Sequence, residues 1–74
     1  MLDKLREIIT NYSEVDEENI TGDTDLRVDL GLSSFDLVNI AVECEKVFGT
    51  NIPDRDLASM NSVGDMLDFI EQKI

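Results

Sequence analysis

Two adjacent serines, Ser33 and Ser34, precede Asp36 at the head of an apolar, helix-periodic segment. In the spacing Ser-x-x-Asp the first hydroxyl accepts a backbone N–H while the acid reaches back to the cap residue. Ser33 is therefore occupied by structure. Ser34 falls on the first helical position, where its side chain has no capping task and is expected in solvent. A free hydroxyl at the positive end of a helix is a favourable place to carry a phosphate, because unpaired N–H groups and the helix dipole both stabilise the anion. Taken alone the signal is weak, since most serines near a helix start are only caps.

The other reactive side chains fit no catalytic or metal-binding pattern. Nucleophilic catalysis needs a base beside the nucleophile, but the chain has no histidine, and its one cysteine, Cys44, lies on the apolar face of a predicted helix. A free cysteine there behaves as a small buried hydrophobe. Asp54 and Asp56 read as solvated acids rather than a glycosidase pair, because nothing else suggests a cleft. Asp23-x-Asp25 opens like a calcium loop. Arg27 then takes the fifth position, Val28 the place of the required glycine and Ser34 that of the bidentate glutamate, so the match collapses. A single cysteine excludes an internal disulfide and a multi-cysteine metal site. The expectation is a protein that is not an enzyme and holds no metal.

The elements that must position these residues belong to a short, acidic chain. Its 74 residues carry 17 acidic and 6 basic side chains, a net charge of −11. Nucleic-acid binding needs a basic face to displace counterions, and docking on an anionic membrane surface fails for the same reason. No run approaches the roughly 20 apolar residues of a spanning helix. The start Met1-Leu2-Asp3-Lys4 lacks the basic-then-apolar build of a signal peptide. The chain is expected to be a soluble, cytoplasmic, monomeric single domain over 1–74. Its 42% apolar content reads as folded rather than as an acidic tail, and the surplus charge is suited to steering it toward partners with basic surfaces.

Leu2, Leu5, Ile9 and Tyr12 recur at helical spacing and predict a first helix. Ser13 to Ser33 shows no helical period. Thr21 to Asp25 reads as turns, and Leu26, Val28, Leu30 and Leu32 alternate in what is expected to be an extended loop pinning its leucines onto the bundle. The second helix should run from Ser34 to Phe48 and end at Gly49. After Pro53, Asp54 to Met60 offers a short helix. Ser62, with Asp65 three residues on, opens a last helix whose apolar stripe is Val63, Met66, Leu67, Ile70 and Ile74. The fold class is all-α: a small four-helix bundle, three main helices plus one short helix, with a long first loop.

At about 100° per residue, Leu37, Ile40, Ala41, Cys44 and Phe48 share one face of the second helix, with Val47 at its margin. Phe35, Val38 and Val42 form a second stripe about 100° to 160° away from Leu37. So small a bundle has little to cover two faces of one helix, so this stripe is expected to be exposed at least in part. Rimmed by Asp36, Glu43 and Glu45, it has the character of a docking surface. The alternative is that the long loop or the short helix folds over it.

The stretch DLGLSSFDLV, Asp29 to Val38, resembles the attachment motif of acyl carrier proteins, in which a serine before a bulky apolar residue carries 4′-phosphopantetheine. Ser34 is the matching serine. The resemblance continues through Val47-Phe48, Asn51-Ile52-Pro53-Asp54 and Ser62-Val63-Gly64-Asp65, nearly the whole chain. It implies a covalent 4′-phosphopantetheine arm on Ser34, whose thiol holds acyl groups as thioesters and shuttles them between enzymes of fatty acid or related polyketide biosynthesis. It also implies a phosphopantetheinyl transferase and acyl-processing enzymes with basic surfaces as partners. Asp36 would help bind the transferase; Phe35, Val38, Val42, Glu43 and Glu45 would face partners. Leu37, Ile40, Ala41, Cys44 and Met60 would border an acyl cavity, although ordinary core packing explains the same five residues. Ser33 stands where the family usually has Asp, and Asn39 and Lys46 where many relatives are acidic. The alternatives are an aminoacyl or peptidyl carrier, and a carrier-like interaction domain that works unmodified.

Overall fold

Helix boundaries follow local chemistry in the computed structural model, which describes residues 1–74. The chain forms α1 (Leu2–Ile9), a 3₁₀ turn (Glu17–Asn19), α2 (Ser34–Phe48), α3 (Asp54–Ser59) and α4 (Val63–Lys73). It is the all-α bundle of three longer helices and one short one that the periodicity predicts. Both Ser-x-x-Asp signals are complete capping boxes, Ser33 with Asp36 on α2 and Ser62 with Asp65 on α4. At the second box, backbone N–H bonds from Asn61 and then Ser62 hold the Asp65 carboxyl below the usual carboxylate range. α2 stops at Gly49, whose φ of 73° is the left-handed cap that glycine adopts without a Cβ penalty. Pro53 caps α3 from an extended conformation.

The inward faces meet in one cluster of 17 buried residues, among them Leu5 and Ile9 of α1, Leu37, Ile40 and Cys44 of α2, Leu57 of α3, and Val63, Met66 and Ile70 of α4. Leu67 packs against it, half-buried, and Ile74 is exposed. α1 ends before Tyr12, which lies in the following turn and donates its hydroxyl to the Glu43 carboxylate of α2. That hydrogen bond raises the phenol's pKa.

The long first loop departs from the extended reading. Leu26, Leu30 and Leu32 are buried, but Val28 is 83% exposed. The Asp25 carboxylate accepts from the N–H groups of Arg27 and Val28 at 2.9 and 2.7 Å. Its carbonyl accepts from those of Asp29 and Leu30 at 3.2 and 3.1 Å. The backbone therefore coils for one turn, and Leu26 and Leu30 face inward because they are four apart, not two. Gly31, at φ 68°, ends the turn.

This loop is stitched to the start of α4. Leu26 N–H donates to Asn61 O at 2.8 Å, Val63 N–H to Thr24 O at 2.9 Å and Gly64 N–H to Gly22 O at 2.8 Å. The Arg6 guanidinium adds a bond to Ile20 O at 2.6 Å. A Cβ on Gly64 would lie 2.8 Å from Gly22 O, a backbone atom with no freedom to swing aside. Alanine is the better helix former by about 1 kcal/mol. We nonetheless expect Gly64→Ala to destabilise the fold by about 1–3 kcal/mol, as overpacking does. Thermal unfolding checks this, and an unchanged or higher Tm would refute it.

Candidate functional site

The two serines separate as their spacing predicts. Ser33 Oγ accepts from Asp36 N–H at 3.1 Å, and the Asp36 carboxylate accepts from Ser33 N–H at 2.9 Å. Ser34 is the first residue of α2, is exposed, and keeps its hydroxyl outside this box. Leu37 N–H bonds Ser33 O at 3.0 Å, and Asp36 N–H is taken by the cap. The N–H groups of Ser34 and Phe35 remain directed out of the helix end, where an anion on the neighbouring hydroxyl would meet them.

Beside Ser34, α2 and α3 enclose a cleft of about 240 Å³ lined by Arg27, Ser34, Leu37, Val38, Asp54, Leu57 and Ala58. Four of these side chains are apolar, and the two charged ones have opposite sign. The cleft is smaller than the 300–1,000 Å³ typical of sites for compact drug-sized ligands, and suits a slender chain rooted at its edge. Arg27 Nη1 donates to Met60 O at 2.9 Å, tying the loop to the end of α3. The exposed hydroxyl, the free N–H groups and the adjoining apolar cleft together fit a phosphate-linked arm. Sequence reasoning missed Arg27, Leu57 and Ala58 as lining, and placed Asp54 only as a surface acid; the cleft exists only once the loop closes on α3.

Of the five residues that the resemblance sets beside an acyl cavity, Leu37 alone lines this cleft. It also belongs to the buried core cluster, as do Ile40, Ala41, Cys44 and Met60, whose carbonyl accepts from Arg27. Burial, and secondarily the charge of Glu43, pushes the Cys44 thiol up to about 12.

The second stripe of α2 is open, with Phe35 75%, Val42 45% and Val38 42% exposed. Only Val38 touches the cleft shared with α3. Asp36 is engaged in the cap and Glu43 with Tyr12, and both project roughly 100° from Val42, on the flank facing α1. Glu45 is exposed on the stripe's own side, as is Lys46. Most of the negative charge therefore lies on other elements of the chain.

Against known proteins, the family model described as a phosphopantetheine attachment site matches residues 3–70. The structure of an acyl carrier protein from Enterococcus faecalis is similar at 29% identity, with a TM-score of 0.84, covering 99% of this chain and 92% of that one. A Mycobacterium tuberculosis protein described as an acyl carrier protein is similar at 25% identity and TM-score 0.86, with 100% of both chains covered.

Proposed function

The chain belongs to the family that carries phosphopantetheine as a covalent prosthetic group, the acyl carrier proteins, and we propose that Ser34 is the residue through which this member does so. The observation that carries the reading is the division of labour between the serines: Ser33 is bonded into the cap while Ser34 is exposed and free.

In loading, Ser34 Oγ attacks the pantetheine-bearing phosphorus of coenzyme A, the pyrophosphate P–O bond breaks, and adenosine 3′,5′-bisphosphate leaves. The hydroxyl proton passes to a base on the transferase, since this chain has no histidine beside Ser34 to take it. The N–H groups of Ser34 and Phe35 would be the donors that hold the phosphodiester at the helix end. When bound, the group supplies a terminal thiol that holds acyl cargo as a thioester. Leu37, Val38, Leu57 and Ala58 offer that cargo an apolar wall.

Partner enzymes meet the open stripe of Phe35, Val38 and Val42, with Glu45 as the charged neighbour. Asp36 and Glu43 act through the overall field, because hydrogen bonds inside the chain already hold them. By resemblance to the family, the chain's strong acidity favours fatty acyl cargo over polyketide or aminoacyl cargo. We read residues 1–74 as one carrier domain, monomeric and, by resemblance to the family, working in the cytoplasm.

The test is to incubate the protein with coenzyme A and a phosphopantetheinyl transferase and weigh it intact. A gain of one arm is expected. No gain with several transferases would favour an interaction domain that uses its apolar stripe unmodified.

A further inference from the structure

We propose that Arg27 is the anion-binding wall of the cleft, its guanidinium pairing with the phosphodiester formed on Ser34. This rests on Ser34 being the attachment residue. Arg27 and Ser34 line the same cleft, and Arg27 is the only cation among its seven lining residues. In a chain with 17 acids, Arg27 makes no ion pair; the one ion pair is between Arg6 and Asp3. Its position is nevertheless set from three sides. Nη1 donates to Met60 O at 2.9 Å, its backbone N–H to Asp25 Oδ1 at 2.9 Å, and its carbonyl accepts from Gly31 N–H at 3.0 Å.

A guanidinium has five N–H donors in a planar fork suited to two phosphate oxygens at once. One is spent on Met60 O, which holds the fork at the cleft and leaves the remaining donors for a ligand. The N–H groups of Ser34 and Phe35 supply further donors at the helix end. Asp54 on the cleft wall opposes a second anion, so the cleft beyond Arg27 suits an uncharged chain. The arm is thereby held at its root, with its free end left to move.

The test uses ¹⁵N-labelled protein before and after loading from coenzyme A. Mass is measured first, so that failure to modify Ser34 is seen separately from failure of Arg27 to respond. On loading, the Arg27 Nε–Hε resonance is expected to shift and its exchange with water to slow about threefold or more, as a charge-assisted hydrogen bond forms. In loaded protein, Arg27→Gln should move the ³¹P resonance of the phosphodiester, and Arg27→Lys should restore it only in part, lacking the fork. Inorganic phosphate added to unloaded protein should leave Arg27 unmoved. An Arg27 side chain that ignores loading while the Ser34 and Phe35 amides shift would overturn the proposal, and so would an equal response to free phosphate. Should Arg27→Gln fail to fold, the wild-type measurement decides the matter alone.

Discussion

Ser34→Ala is expected to gain no mass from coenzyme A and a transferase that fully load the wild-type chain, while Ser33→Ala should gain the whole arm and melt at a lower temperature. The two hydroxyls are neighbours in sequence with unlike surroundings. Ser33 Oγ is bonded to Asp36 N–H at 3.1 Å, and removing such a cap costs about 1 kcal/mol. In a domain of this size that lowers Tm by roughly 4–8 °C. Ser34 holds nothing in place, so its alanine variant should keep the wild-type Tm and lose only chemistry. Intact mass and thermal unfolding on the same two samples read both halves. Loading that persists in Ser34→Ala, or vanishes in Ser33→Ala with the fold intact, would reverse the assignment.

Cys44 is expected to react with thiol reagents at pH 8 about a thousandfold more slowly in the folded protein than in denaturant. With the thiol pushed from 9.0 to about 12, about one molecule in ten thousand carries a thiolate at that pH when folded, against about one in eleven when unfolded, and the thiolate is the reactive form. Complete burial of the side chain slows access further. Because the folded value is raised, the stability that comes from keeping the thiol neutral is fully present below about pH 9. It is lost as pH rises toward 12. Loaded protein should then show one fast thiol, on the arm, and one slow thiol at Cys44. A native rate within about tenfold of the denatured one would show that ionisation and burial do not protect Cys44 as described.

What could be read in advance was local. The boxes at Ser33–Asp36 and Ser62–Asp65 and the stop at Gly49 depend on residues within one turn of each other, and each formed where its spacing placed it. The stretch from Leu26 to Leu32 was misleading because alternation of apolar residues also fits a coiled turn followed by a glycine break. Asp25, binding two N–H groups ahead of it, decided between them. The cleft was out of reach for a different reason. Arg27 meets Met60 across 33 positions of chain, and no periodicity records such a pairing. The engagement of Glu43 by Tyr12, across 31 positions, is of the same kind and ties to the turn after α1 a carboxylate that the helical wheel had placed on the rim.

The stitching of residues 22–26 to residues 61–64 has a mechanical meaning. Ser34 sits where an anchored loop passes into a fifteen-residue helix, so its hydroxyl is a fixed pivot on a stiff handle. With the arm on Ser34 as proposed, all reach would come from what hangs there, and a cargo bound for a more distant enzyme would travel only if the entire body lets go and diffuses.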